Sequence, residues 1–457
     1  MKTASISFRE VKGFGFRFDA PVHLSEGVSA KRLMQSCPYE LLTIGDVSER
    51  VWHAGRWRRV YVNNPNNGIT LLGSSAILKS DLSKEKMISV KYTEDKEDKA
   101  LKKGWTLISC SGTIGNCAFA NAQHAEKLAS QHVIRVSPNN ILREGVIYAF
   151  LASKYGYSML TQGTFGSVIQ HIEPENVKSI PIPHFPETFQ EEVDDLMQES
   201  ARLREEAVDA LEEAKGLIMD FCQEEYATTR LKRFVSVKIK GVRSTLNTRF
   251  DPTIYINKGV QWVKSIQKQS TRLGDLNVKM WYPGIFKRAY VENGLPYLKG
   301  SSVFDVNPFK TCDHLSKART PKLDDLWLKE GMLLITCAGA CGLVKMITKE
   351  YEDKGAIGSP DIIRLVSNDT LFTTEYIFAY LQLPPIYDYM QSLKYGSVIE
   401  RFDIENIKTI PIVRPTEELS QAVTDIVKSY MAKTYRAFNC EEQAISMVER
   451  EIESWNK

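Results

Sequence analysis

Gly166–Pro183 reads GSVIQHIEPENVKSIPIP, and Gly396–Val413 reads GSVIERFDIENIKTIPIV. Ten of these eighteen positions are identical at a separation of about 230 residues. That period is far longer than the roughly 20–50 residues of a solenoid unit, so it marks a duplicated domain. A second block agrees. LKKGWTLISCSGTIG from Leu101 aligns with LKEGMLLITCAGACG from Leu328, which matches Gly104, Cys110, Gly112 and Gly115 to Gly331, Cys337, Gly339 and Gly342. Weaker echoes lie further out: Arg17-Phe18-Asp19 with Arg249-Phe250-Asp251, Gly45-Asp46 with Gly274-Asp275, Arg59-Val60-Tyr61-Val62 with Arg288-Ala289-Tyr290-Val291, and Gly73-Ser74-Ser75 with Gly300-Ser301-Ser302. Their order is the same in both halves, which predicts one fold used twice.

Each half opens with a mixed region. Thr106–Cys110 and Leu333–Cys337 are short apolar runs followed by glycine turns, the pattern of buried strands. His132–Val136 and Asp361–Leu365 are further strand candidates. Val146–Leu160 and Tyr376–Met390 carry helical apolar faces, the second interrupted by Pro384-Pro385. Ile180-Pro181-Ile182-Pro183 and Ile410-Pro411-Ile412 read as short edge strands, because proline has no N–H for a ladder.

Each half ends differently. Val193, Leu196, Ser200, Leu203, Ala207, Ala210, Ala214, Leu217 and Phe221 alternate spacings of three and four, the signature of a helix packed on a helix. Leu419, Val423, Ile426 and Tyr430 begin a second such stripe, which continues after a shift of phase through Ala444 or Ile445, Val448, Ile452 and Trp455. Two such helices in one chain can bury their stripes on each other, with Ala207, Ala210 and Ala214 permitting close approach. Packing of each helix on its own domain is the alternative. The predicted class is α+β: two repeated mixed α/β domains separated by two long helices that form an antiparallel coiled coil.

The chain has 457 residues, 43% hydrophobic and 25% charged, with a net charge of +3. That length requires more than one domain, and no apolar run is long enough for a membrane span. With no secretory signal in MKTASISFRE at the start, a cytoplasmic location is expected. Charge is uneven: fourteen acids against three bases fall in Glu187–Glu225, and seven bases without an acid in Arg230–Arg249. The basic stripe, Arg243 included, suits phosphate neutralisation or a solvated linker equally well. The eight cysteines form no CxxC pair; Cys337 and Cys341 read as small buried thiols rather than metal ligands.

No catalytic constellation is evident. Gly13-Phe14-Gly15 lacks the rest of a dinucleotide fingerprint. Asn307-Pro308-Phe309 lacks the second proline of an adenine-methyltransferase loop, and no glycine-rich cofactor turn precedes it. There is no GxxxxGK(S/T) and no defensible PD-(D/E)xK run. The histidines are dispersed, and His132 stands beside a strand where its repeat partner is Asp361.

The repeated motifs resemble the specificity (S) subunit family of Type I restriction-modification systems. The resemblance rests on Leu295–Ser302, on Leu101–Gly115, and on the glycine turns from Gly166 and Gly396 that lead through an I-x-x-I-P-I element into a long helix. It covers nearly the whole chain twice. Two features depart from the family: its P-P-x-x-E-Q helix start is replaced by Pro186–Gln190 and Pro415–Leu419, and Leu71–Ser75 lacks the proline and aromatic residue of its counterpart.

The resemblance implies target-recognition domains at 1–186 and 228–414, spacer helices at 187–227 and 415–457, and a non-catalytic role. Each domain would read one half of a bipartite, asymmetric site on double-stranded DNA. Two adenine methyltransferase (M) subunits and the restriction/translocase (R) subunits would be the partners, and they would hold S-adenosylmethionine, ATP and Mg, with no cofactor on this chain and no membrane association. Candidate DNA contacts are Lys79, Lys299, Ser301 and Ser302 near the first shared motif, and Ser109, Ser111 and Thr113 at a strand end. Ser167, Gln170, Lys394, Ser397 and Arg401 flank the glycine turns, and Arg243 lies in the basic stripe. Residues shared by both halves cannot explain unlike half-sites, so base readers belong where the copies differ. A different reading keeps the fold but not DNA recognition: an interaction scaffold or phage-defence protein.

Overall fold

A computed structural model describes residues 6, 8, 11, 25–162, 171–224, 226, 234–243, 248–396 and 400–455. The chain forms two compact units, Met1–Glu205 with Arg436–Lys457, and Glu206–Tyr435.

Among its described residues the first unit holds ten strands: β1 (Leu41–Thr43), β2 (Ser48–Trp52), β3 (Tyr61–Val62), β4 (Gly68–Leu72), β5 (Met87–Ser89), β6 (Thr106–Ser109), β7 (Cys117–Phe119), β8 (Leu128–Ala129), β9 (Val133–Pro138) and β10 (Pro181–Pro183). An antiparallel sheet of order β2-β9-β6-β7 is its centre. β6 is buried at all four positions, which explains why it reads as a continuous apolar run rather than an alternating one. A second sheet, β3-β5-β4-β8, closes on a parallel β4–β8 pair. β1 and β10 make a two-stranded ribbon with Leu42 opposite Ile182, so the proline-rich segment does lie at an edge. Helices Glu144–Ala152 and Lys154–Gln162 meet at Ser153 instead of running on, and their apolar residues join β6 and β9 in one core with Ile44, Ile108, Ile134 and Phe150.

The second unit repeats this plan with β11 (Ser270–Arg272), β12 (Val278–Trp281), β13 (Tyr290–Leu298), β14 (Asp313–Leu315), β15 (Leu333–Thr336), β16 (Val344–Met346), β17 (Ile357–Gly358), β18 (Ile362–Ser367) and β19 (Pro411–Val413). Its central sheet has order β12-β18-β15-β16, the counterpart of β2-β9-β6-β7. Register is retained as well: Leu107 and Trp52 pair with Arg135, and Leu334 and Trp281 pair with Arg364. The helices Thr374–Leu381 and Pro384–Leu393 are separate, with Pro384 starting the second, where its missing N–H costs nothing.

Two expectations need correction. Gly73-Ser74-Ser75 does not superpose on Gly300-Ser301-Ser302. Ser130 N–H donates to Leu72 O and Ser359 N–H to Leu298 O, both at 2.9 Å, and the 3-10 turns that follow are Ala76–Leu78 and Ser302–Phe304. Lys299-Gly300-Ser301 therefore stands where Gly73-Ser74-Ser75 does, one residue from the sequence match. Backbone pairing, not the similarity of small residues, fixes that register.

The second concerns the long helices, Glu187–Cys222 and Glu417–Ser454. In the first, Met197, Ile218 and Cys222 are buried, whereas Leu217 is 36% exposed. In the second, the buried line runs Ser420, Val423, Val427, Met431, Phe438, Glu441, Ala444, Val448 and Ile452 without a break of phase. The polar Ser420 and Glu441 hid that continuity, and Ile426 and Tyr430 flank the seam. The helices pack antiparallel in each unit. In the first unit Val193 and Met197 join Ala444, Val448 and Ile452, and Ser200 Oγ donates to Ala437 O at 2.8 Å. In the second, Ala214, Ile218 and Cys222 join Val423, Val427 and Met431. Among the described residues no helix is long and apolar enough to cross a membrane.

Candidate nucleic-acid interface

In each unit one end of the central sheet gathers polar side chains on a fixed backbone. In the first unit this is the end where β6 stops, β9 starts and β2 stops. Ser109 ends β6 and is fully buried; its Oγ lies 3.0 Å from Thr113 Oγ1 and 3.3 Å from Ser111 O, so it organises its own loop. Gly112 and Gly115 of that loop have φ of +78° and +80°, as Gly339 and Gly342 have +71° and +85°. This left-handed geometry disfavours a side chain and explains why the glycines recur. Ser111 is buried and Thr113 is exposed.

The backbone around this loop is tied alike in both units. Cys110 N–H donates to His132 O at 3.1 Å, and Ile172 N–H to Cys110 O at 3.2 Å. In the second unit Cys337 N–H donates to Asp361 O and Phe402 N–H to Cys337 O, both at 3.2 Å. A fully buried arginine anchors each arrangement. Arg135 Nη2 donates to Ala129 O at 2.7 Å and Lys99 O at 3.2 Å. Arg364 donates to Gly358 O at 2.7 Å, Ser359 O at 2.9 Å and Ile362 O at 2.6 Å. Burial lowers both guanidinium pKa values to about 10, which leaves them charged at neutral pH. Sequence reasoning placed the strands but missed the arginines. Their signal was an identical basic residue in the same strand of both repeats.

On this frame the first unit carries His53, Arg56, Arg59, Gln131, His132 and His171. Arg59 donates to Gln131 Oε1, Gln131 Nε2 is 2.9 Å from His132 Nε2, and the His132 and His171 rings are 6.0 Å apart. His53 Nε2 lies 3.4 Å from a Glu173 oxygen. Burial holds the His132 pKa below its ordinary value, and His171, Arg59, Arg56 and His53 push it the same way. The second unit places Tyr282, Arg288, Asp361 and Arg401 at the matching positions. Burial opposes the Arg288 charge, but the Tyr297 hydroxyl, Tyr290 and the Asp361 carboxylate outweigh it and raise its pKa. Arg401 exchanges backbone hydrogen bonds of 2.8 Å with Tyr395 and bridges to Ala338.

The remaining sequence candidates fall as follows. Lys79 pairs with Glu85 at 2.5 Å, Lys299 with Asp313 at 2.6 Å and Lys394 with Glu400 at 2.7 Å. Ser302 Oγ accepts from Lys299 N–H at 3.1 Å, and Ser301 stands exposed at the N-cap position of the same turn without a side-chain capping bond. Arg243 is exposed at the end of the short helix Ile239–Arg243, away from either sheet in sequence. Ser167, Gln170 and Ser397 lie outside the described residues. Ser111 and Thr113 share the strand-end loop, and Arg401 lies at the matching loop of the other unit. Among the described residues no group of three His, Cys, Asp or Glu is placed to hold a metal ion.

Comparison with known proteins bears on the same region. The family model described as "Type I restriction modification DNA specificity domain" matches residues 38–199. No curated protein matches the chain. Among solved structures, the Type-I restriction-modification system S subunit from M. genitalium is 11% identical, with 91% of this chain and 96% of that chain covered and a TM-score of 0.33. The HsdS subunit from Thermoanaerobacter tengcongensis is 13% identical, with 91% and 97% covered and a TM-score of 0.29. Residues 38–199, the part of the chain similar to that family's domain, hold the first of the two strand-end constellations.

Proposed function

We propose that the chain is the DNA sequence-specificity subunit of a Type I restriction-modification complex, without a catalytic centre of its own. The carrying observation is that residues 38–199 match the family's DNA specificity domain and that the second unit repeats that domain's central sheet strand for strand and in register. Two copies of one reader with unlike surfaces suit a bipartite, asymmetric site. The paired long helices suit a spacer between half-sites. Methyl transfer and ATP-driven steps belong on this reading to the M and R subunits, which bring S-adenosylmethionine, ATP and Mg, and the complex works in the cytoplasm.

The test is co-purification of the full chain with an adenine methyltransferase subunit encoded beside it, followed by selection from a duplex library with two randomised blocks. Enrichment of two short, unlike motifs at a fixed gap, with binding that weakens as salt rises, is the expected result. If no duplex is bound by the chain alone or with its methyltransferase, the proposal is wrong and a non-reading scaffold takes its place.

A further inference from the structure

Resting on the reading above, the question is which side chains make the two half-sites unlike. The two units share the backbone hydrogen bonds of the strand end. Cys110 and Cys337 hold the β9 and β18 starts through the same backbone hydrogen bond, and the same backbone returns from Ile172 and Phe402. Arg135 and Arg364 fix the turn ahead of each strand. Positions that are geometrically the same in both readers but chemically different are the ones able to encode different bases.

We infer that three such pairs form the base-reading positions, His53 and Tyr282, His132 and Asp361, and His171 and Arg401, joined in the first unit by Gln131, where the second unit has the buried Pro360. Three observations single them out from ordinary surface divergence. They converge on one sheet end in each unit, through the Gln131–His132 and His132–His171 contacts on one side. On the other side, Cys337 N–H donates to Asp361 O and Cys337 O accepts from Phe402 N–H, both at 3.2 Å, and Arg401 bridges to Ala338 beside it. Gln131, Asp361 and Arg401 are of residue types that recognise base edges: arginine pairs with guanine O6 and N7, glutamine with adenine N6 and N7, and aspartate accepts from cytosine N4. The pairs also sit beside a cation common to both units, Arg59 and Arg288. A shared cation suits phosphate or backbone positioning, which carries no sequence information. The first reader thus presents an amide and imidazoles, and the second a carboxylate, a guanidinium and a phenol. Their preferred half-sites differ in donor–acceptor pattern while approach and depth stay alike.

The experiment uses the full chain with its methyltransferase partner and the two-block duplex library. His132→Ala and Asp361→Ala are each compared with the parent chain, with His132→Asn and Asp361→Asn as milder replacements should either alanine variant lose its cooperative unfolding transition. The expected result is that His132 variants lose about tenfold discrimination at one or more positions of one motif and leave the other motif and the gap unchanged. Asp361 variants do the reverse. Folded variants at both positions that select the parental motifs with undiminished discrimination overturn the inference while leaving the proposed function standing. A parent chain that selects no motif at all overturns both.

Discussion

Arg204 Nη2 lies 2.7 Å from a carboxylate oxygen of Glu441, in the seam between the two long helices of the first unit, where their side chains are 17% and 4% exposed. Glu441 also accepts from Tyr148 Oη at 2.5 Å, and Arg204 Nη1 donates to Ser200 Oγ at 3.1 Å. Burial and the Glu441 carboxylate raise the Tyr148 pKa well above its ordinary value, so its hydroxyl stays a donor. An apolar helix seam is interrupted by one satisfied polar cluster, a device that fixes register and orientation in helix pairs.

Removing one partner strands the other charge. Arg204→Met should cost roughly 3–5 kcal/mol in denaturant unfolding of the first unit, because Glu441 is left buried with one hydrogen bond. The double variant Arg204→Met/Glu441→Leu should cost less than the two single changes summed, which a double-mutant cycle measures.

Arg135 and Arg364 donate only to carbonyl oxygens among the described residues, and no side chain replaces those bonds. Arg135→Met and Arg364→Met should each destabilise their own unit by roughly 2–4 kcal/mol. Amide exchange should quicken first at residues 129–133 in one variant and 358–362 in the other. Equal protection in variant and parent would show the arginines to be dispensable.

His124 in the first unit is buried, with Nε2 3.2 Å from Ile77 O and Nδ1 2.8 Å from Asn121 Oδ1. Burial depresses its pKa from 6.5 to about 4. Protonation therefore favours the unfolded chain: the stabilisation is complete above about pH 6.5 and is lost as pH falls toward about 4, to a total of about 3 kcal/mol. His132 shifts in the same direction. At the equivalent place the second unit has Tyr351, whose hydroxyl donates to Val303 O at 3.0 Å and does not titrate in this range. Acidification should thus loosen the first unit before the second, which exchange measured from about pH 7 to about pH 5 will resolve. His124→Tyr should flatten the difference.

Deleting one heptad from each helix, Glu206–Glu212 and Ile426–Ala432, keeps the seam in phase, and each helix becomes about 10 Å shorter. On the proposed reading the gap between selected motifs should contract by about three base pairs at 3.4 Å each, with both motifs unchanged. An unaltered gap would separate the helices from the spacing function.

The duplication, the strand cores, the edge prolines and the pairing of the long helices were all legible from residue order. Repeats, buried apolar runs and heptads are one-dimensional patterns that write themselves directly into sequence. The strand-end site was only half legible. Ser111, Thr113 and Arg401 were picked out because they sit in recurring motifs. His53, Gln131 and His171 come together from segments 40 to 120 residues apart, and nothing local announces that meeting. Lys79, Lys299 and Lys394 looked like free cations in sequence, and only folding supplied their acidic partners.

By itself, then, the sequence determined that one fold is used twice and that each copy ends in a helix able to pair, because hydrophobic periodicity acts along the chain. Tertiary structure alone decided the register of the first shared motif, the continuous seam through Glu441, and which polar residues share a surface. Each of those depends on hydrogen bonds and charge pairs between distant segments, whose partners are chosen by packing rather than by order.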